Sequence, residues 1–308
     1  LIKRVPRELK GDWSKYLLVS LFMIFVIGCI AGMYVANESM LTAATENTKK
    51  SICEDGHFEL SKKAKKGTFD SLSATIYEDF YYNLNEDKDG DGKKEGTIRV
   101  FQKNDEVNLA SVLDGKLPEN KNEIAIDRMY ADNNELKVGD TLKSQSGKQT
   151  WKITGLVALS DYSCLFQNNN DSMFDSVKFG VSVVTPEEFD TLDQDKLQYN
   201  YSWIYDKQPK TEKEEKDVSE ELMENIGEIV TLEAFVPRYL NQAITFTGDD
   251  MGSDKAMMII LLYIVIVIMA FVFGITISNT IRRESGVIGT LRASGYTKRE
   301  LIRHYMAL

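Results

Sequence analysis

The residues best suited to chemistry form an acidic run between two predicted strands. Its carboxylates recur at alternate positions and are followed by one further acid: Asp87, Asp89, Asp91 and Glu95. Carboxylates at this spacing, with a glycine turn among them, can wrap Ca²⁺ as in the first half of an EF-hand loop. The bidentate acid of such a loop is missing, because Ile98 stands where it is expected. We favour a hydrophilic turn, in which Asp and Gly are common, and keep calcium as the alternative.

Catalytic motifs are missing from the sequence. No Gly-x-x-x-x-Gly-Lys-[Ser/Thr] phosphate-binding loop occurs, so the chain does not hydrolyse ATP by that route. The two histidines, His57 and His304, are expected on opposite sides of a membrane, which precludes a shared zinc site or a nucleophile triad. Asp161, in a Ser-Asp-Tyr-Ser segment, is typical of a loop cap. We therefore predict a chain without catalytic activity and without a cofactor of its own.

Two apolar runs, Tyr16–Ala36 and Ala256–Asn279, bracket the elements that position these residues. Neither run contains an Asp, Glu, Lys or Arg. As helices they are about 31 Å and about 36 Å long, enough to cross a hydrocarbon core of about 30 Å. The first run is too long for the apolar region of a cleaved signal peptide. The sequence therefore predicts two membrane spans, and the helix-compatible segment Glu38–Thr48 predicts that the first helix continues outward as a stalk.

Charge is distributed unevenly along the chain, whose net charge is −10. Residues 1–15 carry a net charge of +3 and residues 280–308 a net charge of +4, which leaves −17 between them. Short flanks rich in Lys and Arg stay in the cytoplasm. We therefore expect both ends of the chain in the cytoplasm and residues 37–255 outside it. An acidic exterior also disfavours nucleic acid as a partner.

The segment 37–255 has room for one large domain or for two lobes with their own cores. It mixes strand and helix signals irregularly, which predicts an α+β fold. Strands are predicted at Ile76–Leu84, Thr97–Gln102, Glu123–Asp127, Thr141–Lys143, Trp151–Leu159, Phe179–Val184 and Tyr201–Tyr205. Helices are predicted after the N-cap Thr185 and over Glu212–Gly227. Two external cysteines, Cys53 and Cys164, either pair or stay free.

After the second apolar run, the sequence predicts a short helix, a tight break and a second helix. The first of these helices carries an apolar stripe with arginines around it: Val287, Ile288 and Leu291. Gly295 suits the C-cap of this helix. Thr297 and Glu300 have the spacing of a capping box that starts the next helix. Beneath a membrane, such an element either lies in the headgroups or docks on a cytosolic partner.

The stretch Ile288–Thr297, preceded by Arg282-Arg283-Glu284, resembles the cytoplasmic loop after the second span of FtsX-like (MacB-type) ABC transporter permeases. In that family the loop reads approximately Glu-x-x-x-Ile-Gly-x-Leu-[Arg/Lys]-Ala-x-Gly. Segments between the spans agree, in order, with extracytoplasmic domains of the family: Gly115-x-Leu117-Pro118, Glu123–Ile126, Leu136–Leu142, Ile153–Val157 and Phe179-Gly180. Val287 is a departure, since family members often carry an acid there. The family's third span would begin near Leu308, so we expect the chain to be a piece of a longer permease.

The resemblance implies a mechanism without chemistry in this subunit. A cytosolic ATPase, which holds ATP and Mg²⁺, would bind a coupling loop made of ten residues: Arg282, Arg283, Glu284, Val287, Ile288, Gly289, Leu291, Arg292, Gly295 and Tyr296. Its closure would move the second span, and continuous helices would pass that motion to a MacB-like core domain outside a bacterial cell membrane. A second permease copy or a homologous half would complete the transporter. The outcome would be extrusion of a peptide, lipid or lipoprotein, or regulation of cell-wall hydrolysis.

A membrane sensor is the alternative, with an external ligand-binding domain and a signalling module beyond the given sequence. A signalling helix after the second span would show heptads, which Gly286, Gly289 and Gly295 interrupt. We therefore predict a cytoplasmic segment, a span, an extracytoplasmic α+β domain, a second span, a coupling loop and the start of a further helix, with these bounds: 1–15, 16–36, 37–255, 256–279, 280–296 and 297–308.

Overall fold

The computed structural model describes residues 10, 13–87 and 93–305. These residues form, in chain order, α1 (Trp13–Lys50), β1 (Gly56–Leu60), β2 (Ala74–Glu78), β3 (Tyr81–Glu86), β4 (Gly96–Gln102), β5 (Ser111–Gly115), β6 (Glu123–Asp127), α2 (Arg128–Asn133), β7 (Thr141–Lys143), β8 (Thr150–Ala158), β9 (Phe179–Val184), α3 (Pro186–Phe189), β10 (Tyr199–Tyr205), α4 (Glu212–Ile229), β11 (Leu232–Pro237), α5 (Gln242–Arg283), α6 (Ser285–Ala293) and α7 (Lys298–Tyr305). Two compact units result, one made of residues up to 41 and from 251 onward, the other of Thr42–Asp250.

Two long helices carry the apolar runs. α1 has 38 residues and α5 has 42, and both are long and apolar enough to cross a membrane. Large apolar side chains are exposed at successive positions of α1, among them Leu17, Leu18, Leu21, Phe22, Ile24 and Phe25. A helix that is apolar on every side needs an apolar surrounding, because no single face can be buried against a core. α1 also continues unbroken beyond Ala36 to Lys50, which confirms the predicted extension of the first helix.

A hydrogen bond and an ion pair join α1 to α5 at one end of the apolar runs. Asn37 Nδ2 donates to the carbonyl oxygen of Met251 at 2.9 Å. Lys255 forms an ion pair with Glu38, and its ammonium lies 5.1 Å from the centre of the Tyr34 ring. The two helices therefore run side by side at this level of the first unit.

The second unit contains two lobes with separate cores. The small lobe is an antiparallel four-stranded sheet in the order β11-β1-β10-β2, with Phe58 opposite Tyr201 on one side and Phe235 on the other. Leu222 and Ile226 of α4 are fully buried in the same core. The large lobe is a seven-stranded mixed sheet in the order β3-β4-β9-β6-β8-β5, with β7 also paired to β8. The α+β class is thus confirmed.

Several predicted strands have the right position, but Ile76–Leu84 is wrong as a single strand. The chain leaves the small lobe after Glu78 and enters the large lobe at Tyr81, so β2 and β3 belong to different sheets. The crossing is fixed by the Asp79 amide, which donates to the Asn200 carbonyl oxygen at 3.0 Å. The return crossing lies beside it, where Tyr81 pairs with Gln198 in an isolated bridge.

The end of α4 also differs from the prediction. A stop at Gly227 was expected, whereas the helix runs on to Ile229. A glycine inside a helix costs only about 1 kcal/mol relative to alanine, and the burial of Leu222 and Ile226 outweighs that cost. The predicted helix start at Thr185 is confirmed, because its hydroxyl accepts the Glu188 amide at 3.3 Å.

Candidate coupling site

The coupling site begins where α5 ends. Arg283 is the last residue of α5, and Glu284 has φ −97° and ψ 12° before α6 starts at Ser285. The Ile288 amide still donates to the Glu284 carbonyl oxygen at 2.9 Å, so the interruption is confined to one residue. α6 therefore follows directly from the helix that carries the second apolar run.

A Schellman motif closes α6. Gly295 has φ +95°, and its amide donates to the carbonyl oxygen of Arg292 at 3.1 Å. The next amide, that of Tyr296, donates to the carbonyl oxygen of Leu291 at 3.2 Å. Both bonds satisfy carbonyl groups at the helix end. Gly295 has a left-handed backbone conformation, which glycine adopts without steric cost. The predicted role of Gly295 as the stop of this helix is confirmed.

The predicted capping box starts α7. The Glu300 carboxylate accepts the Thr297 amide at 2.8 Å, and the Thr297 hydroxyl accepts the Glu300 amide at 3.3 Å. The hydrogen bond from the Thr297 backbone is the main reason why the pKa of Glu300 is lowered. The turn between α6 and α7 is thus held by side chains and backbone on both sides, which gives the site a defined shape.

A contact between distant residues folds α7 back toward the start of α6. The Tyr305 hydroxyl donates to the Glu284 carboxylate at 2.6 Å. Leu301 and His304, one turn apart on α7, are both buried, whereas Ile302 is 53% exposed. Glu284 was predicted as a coupling residue, and its carboxylate also accepts the hydrogen bond that joins α7 to the start of α6. Sequence gave no signal for this pair, because neither spacing nor residue type links position 284 to position 305.

The remaining predicted coupling residues lie on or beside α6 with different exposures. Seven are exposed: Arg282, Arg283, Val287, Gly289, Arg292, Gly295 and Tyr296. Ile288 and Leu291 are half-buried, as is Glu284. The surface thus combines guanidinium groups with an apolar side chain and an aromatic ring. Such a surface can bind another protein, since Arg and Tyr are enriched at interfaces.

The acidic run was predicted to be a turn between strands, and its middle, residues 88–92, lies outside the described residues. β3 and β4 form an antiparallel hairpin in which Glu86 is opposite Gly96, so residues 87–95 are its connection. Asp89 and Asp91 lie outside the described residues. Among residues 10, 13–87 and 93–305, no three His, Cys, Asp or Glu side chains come together in a metal-binding group. Calcium binding at this connection stays an untested alternative.

One short segment of the large lobe contacts the chain at the C-terminal end of α1 and at the N-terminal end of α5. We term this segment, Ser160–Cys164, the junction loop. After α1, the Ser51 hydroxyl donates to Ser160 Oγ at 2.7 Å. In the first turn of α5, the Ala243 carbonyl oxygen accepts from the Ser163 hydroxyl at 2.7 Å and from the Cys164 amide at 2.9 Å. One loop therefore contacts the ends of both helices, and motif reasoning did not find it.

Aromatic packing strengthens the α5 side of the junction. Phe246 lies 5.4 Å from Phe166 and 5.7 Å from Phe174, measured between ring centres, with edge-to-face geometry in both pairs. Such pairs contribute about 0.5–1.5 kcal/mol each beyond the burial of their surface. Cys164 also lies here, with its sulfur 3.2 Å from Thr247 Oγ1. Cys53 and Cys164 are free thiols, and burial raises the pKa of Cys53 to about 12.

A buried polar cluster lies where the small lobe meets the large lobe. The Asn108 amide donates to the carboxylates of Glu54 and Asp79 at 3.0 Å each, and Ser202 Oγ lies 2.5 Å and 3.0 Å from the same two groups. A hydroxyl has one proton and can donate to only one carboxylate at a time. Both Ser202 contacts are satisfied when Asp79 holds a proton of its own.

The electrostatics of this cluster agree with that arrangement. Burial and the neighbouring Glu54 charge raise the pKa of Asp79 to about 6. Burial opposes ionisation of Glu54 as well, but His57 Nδ1 at 2.7 Å outweighs it, so the pKa of Glu54 is lowered and that of His57 is raised. Glu54 and His57 therefore form an ion pair, while Asp79 is the acid that titrates close to neutrality.

Comparisons with known proteins complete the description. A scan of family models found no match, and neither did a search of curated proteins. Among solved structures, the chain is similar to the extracellular domain of the noncanonic ABC-type transporter YknZ from Gram-positive bacteria, with 12% identity over 58% of this chain and 98% of that one, and a TM-score of 0.31. It is also similar to the periplasmic region of MacB from Actinobacillus actinomycetemcomitans, with 10% identity over 60% of this chain and 90% of that one, and a TM-score of 0.34.

Proposed function

We propose that this chain is the membrane subunit of an ABC transporter, an FtsX-like permease that carries motion and performs no chemistry. α1 and α5 span a bacterial cell membrane, the Thr42–Asp250 unit is extracytoplasmic, and α6 with α7 is cytoplasmic. A separate ATPase binds α6 and its closing turn. The resemblance implies one of two outcomes. The permease extrudes a peptide, a lipid or a lipoprotein, or it controls a cell-wall hydrolase.

The observation that carries this proposal is the closed turn that follows the second apolar helix. The Schellman motif at Gly295 and the capping box at Thr297 and Glu300 give α6 a fixed exit, while α6 continues from α5 with a single interrupted residue. A partner that pushes on α6 therefore moves α5 rather than deforming a flexible tail. A sensor would instead need a continuing heptad helix, and α6 is only nine residues long.

The outward part of the path depends on helix continuity. α5 is helical without interruption from Gln242 to Arg283, and its first turn is bonded to the junction loop. Helices transmit axial displacement well because each turn is held by its own hydrogen bonds. Neither apolar run contains an Asp, Glu, Lys, Arg or His, as expected for spans that move rather than line a polar path.

The test uses the permease in membranes together with its ATPase. Leu291→Asp combined with Arg292→Glu removes an apolar contact and reverses a charge on α6. We expect stimulation of ATP hydrolysis by the permease to be lost, with the amount of permease in the membrane unchanged. Unchanged stimulation contradicts the assignment of α6 as the coupling helix.

A matched double variant in the large lobe serves as the control. Leu113→Asp with Lys121→Glu introduces the same chemical changes at two exposed positions of the Thr42–Asp250 unit. We expect it to keep full stimulation, because neither residue lies near α6 in the chain. Labelling of Lys66→Cys from outside intact cells, and of Arg299→Cys only after the membrane is opened, tests the proposed orientation separately.

A further inference from the structure

A cavity of about 440 Å³ lies between the two lobes, next to the junction loop. Its wall includes Glu54 and His57 from the small lobe, Arg99 from β4, and Asp161 from the junction loop. The volume falls within the range of about 300–1,000 Å³ that is usual for small-molecule sites. The wall is rich in charged and amide groups, which sets this cavity apart from a simple packing defect.

Arg99 supplies donors to this cavity. Arg99 is 9% exposed, and its guanidinium lies over the Tyr81 ring, 4.1 Å from the ring centre. Its hydrogen-bond partners among the described residues are all uncharged: the Asn83 side chain, the Tyr162 hydroxyl and the Gln167 carbonyl oxygen. A guanidinium has five N–H groups, so donors remain for a further acceptor. A buried cation without a carboxylate partner is unusual and leaves room for an anionic group.

Two acceptors in the same wall lack donors. Among the described residues, no donor reaches Asp161 Oδ1 or Asn200 Oδ1, although both atoms are buried. Asp161 is 4% exposed and Asn200 is 6% exposed, and both line the cavity. The expected loop cap is therefore not made by Asp161 Oδ1. A buried acceptor without a donor destabilises the protein, and a ligand that supplies N–H groups removes that penalty.

We propose that this cavity binds a small zwitterion of the amino-acid or dipeptide class, with its carboxylate on Arg99 and its ammonium on Asp161 and Asn200. The cavity offers free donors and free acceptors together, and a ligand that carries only one charge satisfies only one of the two sets. The other charged groups of the wall have opposite signs: Glu54 is hydrogen-bonded to His57, and Glu59 has the opposite charge to Arg99 without a hydrogen bond to it among the described residues. A ligand without net charge fits that balance. Burial raises the pKa of Asp161 well above its usual range, which disfavours a negative charge on this acid in the empty cavity.

A ligand in this cavity would contact the junction loop directly, because Asp161 of that loop lines the cavity. Asp161 lies between Ser160, which contacts Ser51 after α1, and Ser163, which contacts the first turn of α5. Tyr162 contributes its hydroxyl to Arg99. A ligand held by Arg99 and Asp161 therefore fixes the loop that both long helices contact. The binding inference itself does not depend on the proposed transporter role, because it is tested without an ATPase.

Three alanine derivatives test the inference with the whole chain in lipid nanodiscs, by calorimetry at neutral pH. L-alanyl-L-alanine carries both charges, L-alaninamide only the ammonium, and N-acetyl-L-alanine only the carboxylate. We expect saturable binding of the dipeptide and at least tenfold weaker binding of the other two. Absence of saturable dipeptide binding, or equal binding of all three compounds, overturns the proposal.

Variants then place the binding in this cavity. Asp161→Asn and Arg99→Gln should each weaken dipeptide binding at least tenfold, with circular dichroism confirming that the variants are folded. Asp206→Asn is the matched control, because it makes the same change in the wall of a second cavity of about 440 Å³ in the small lobe. Equal affinity of Asp161→Asn and wild type, or equal losses in Asp161→Asn and Asp206→Asn, contradicts the assignment. The comparison of the three compounds on the wild-type chain stands even where a variant fails to fold.

Discussion

The hydroxyl of Ser51 donates to that of Ser160 at 2.7 Å across 109 residues of sequence, and both side chains are buried. Ser51 directly follows the last residue of α1, and Ser160 opens the loop that also bonds the first turn of α5. The two long helices are thus joined through a third element of the Thr42–Asp250 unit.

The first prediction concerns the aromatic side of the junction loop. Phe246→Ala removes two edge-to-face ring pairs, with Phe166 and Phe174, and should destabilise the start of α5 by about 2 kcal/mol. Hydrogen exchange of the amides of residues 242–250 should accelerate roughly thirtyfold. Leu240→Ala, at a neighbouring position that is 54% exposed, is expected to leave exchange unchanged. Similar exchange rates in the two variants would argue against ring packing as the anchor of α5.

The second prediction concerns the stop of α6. Gly295 has φ +95°, and no atom of the described residues lies within 4 Å of an added Cβ, so Gly295→Ala imposes backbone strain of about 1 kcal/mol. We expect partial loss of ATPase stimulation with no change in the melting temperature of the extracytoplasmic domain. Gly286→Ala is the control, because Gly286 lies inside α6 with equal free space and alanine favours the helix. A loss of stimulation in Gly286→Ala that matches the loss in Gly295→Ala would point to surface contact, not to the turn.

The third prediction concerns pH. The pKa of Asp79 is raised to about 6 in the folded protein, so ionisation of Asp79 disfavours folding. The free energy of unfolding therefore falls as pH rises from about 4 to about 6, and this contribution is constant above that range. Asp79→Asn keeps an acceptor for Asn108 and has no charge to bury. It should therefore raise the free energy of unfolding by about 2 kcal/mol at pH 7 and by little at pH 4.

Chemical denaturation at several pH values measures this difference. Glu78→Gln is the neighbouring control, since Glu78 is exposed and paired with Lys63 at 2.8 Å. An exposed ion pair contributes at most about 1 kcal/mol, without the steep dependence near pH 5. A stabilisation of Asp79→Asn that does not change between pH 4 and pH 7 would mean that Asp79 has an ordinary pKa.

The fourth prediction concerns a glycine in the core of the large lobe. A Cβ on Gly155 would lie 2.3 Å from the Lys116 carbonyl oxygen, a backbone atom that cannot turn aside. Gly155→Ala should destabilise the lobe by about 3 kcal/mol, measured by thermal unfolding. Gly227→Ala, with free space inside α4, should instead stabilise by about 0.5–1 kcal/mol. A melting temperature of Gly155→Ala equal to that of wild type would show that β8 and its neighbour can separate.

Sequence was most informative where a strand is buried on both faces. β9 has six consecutive buried residues, and its predicted bounds, Phe179–Val184, are those of the structure. β1 was missed because only two of its five residues are apolar, and both β1 and β11 pair with partners far along the chain. The break between β2 and β3 was missed because the alternation of apolar residues continues through Asp79 and hides the change of sheet.

The same distinction holds for the sites. The cap at Gly295 and the box formed by Thr297 and Glu300 are local, so spacing alone predicted them. The Tyr305 bond to Glu284 and the Asp161 wall of the cavity arise from tertiary packing, which no short motif encodes. Asp161 was expected as a loop cap on composition, and its unpartnered oxygen only emerges once the two lobes are assembled.

The strand order of the small lobe also bears on how the chain is made. β1 pairs with β10 and β11, through Gly56 opposite Trp203 and Pro237, so its partners leave the ribosome long after it does. The large lobe, residues 79–198, is complete before either partner exists. The large lobe therefore folds first, while both edges of β1 are still unpaired. Synthesis that stops before Trp203 would release a chain with unpaired strand edges, which is prone to aggregate.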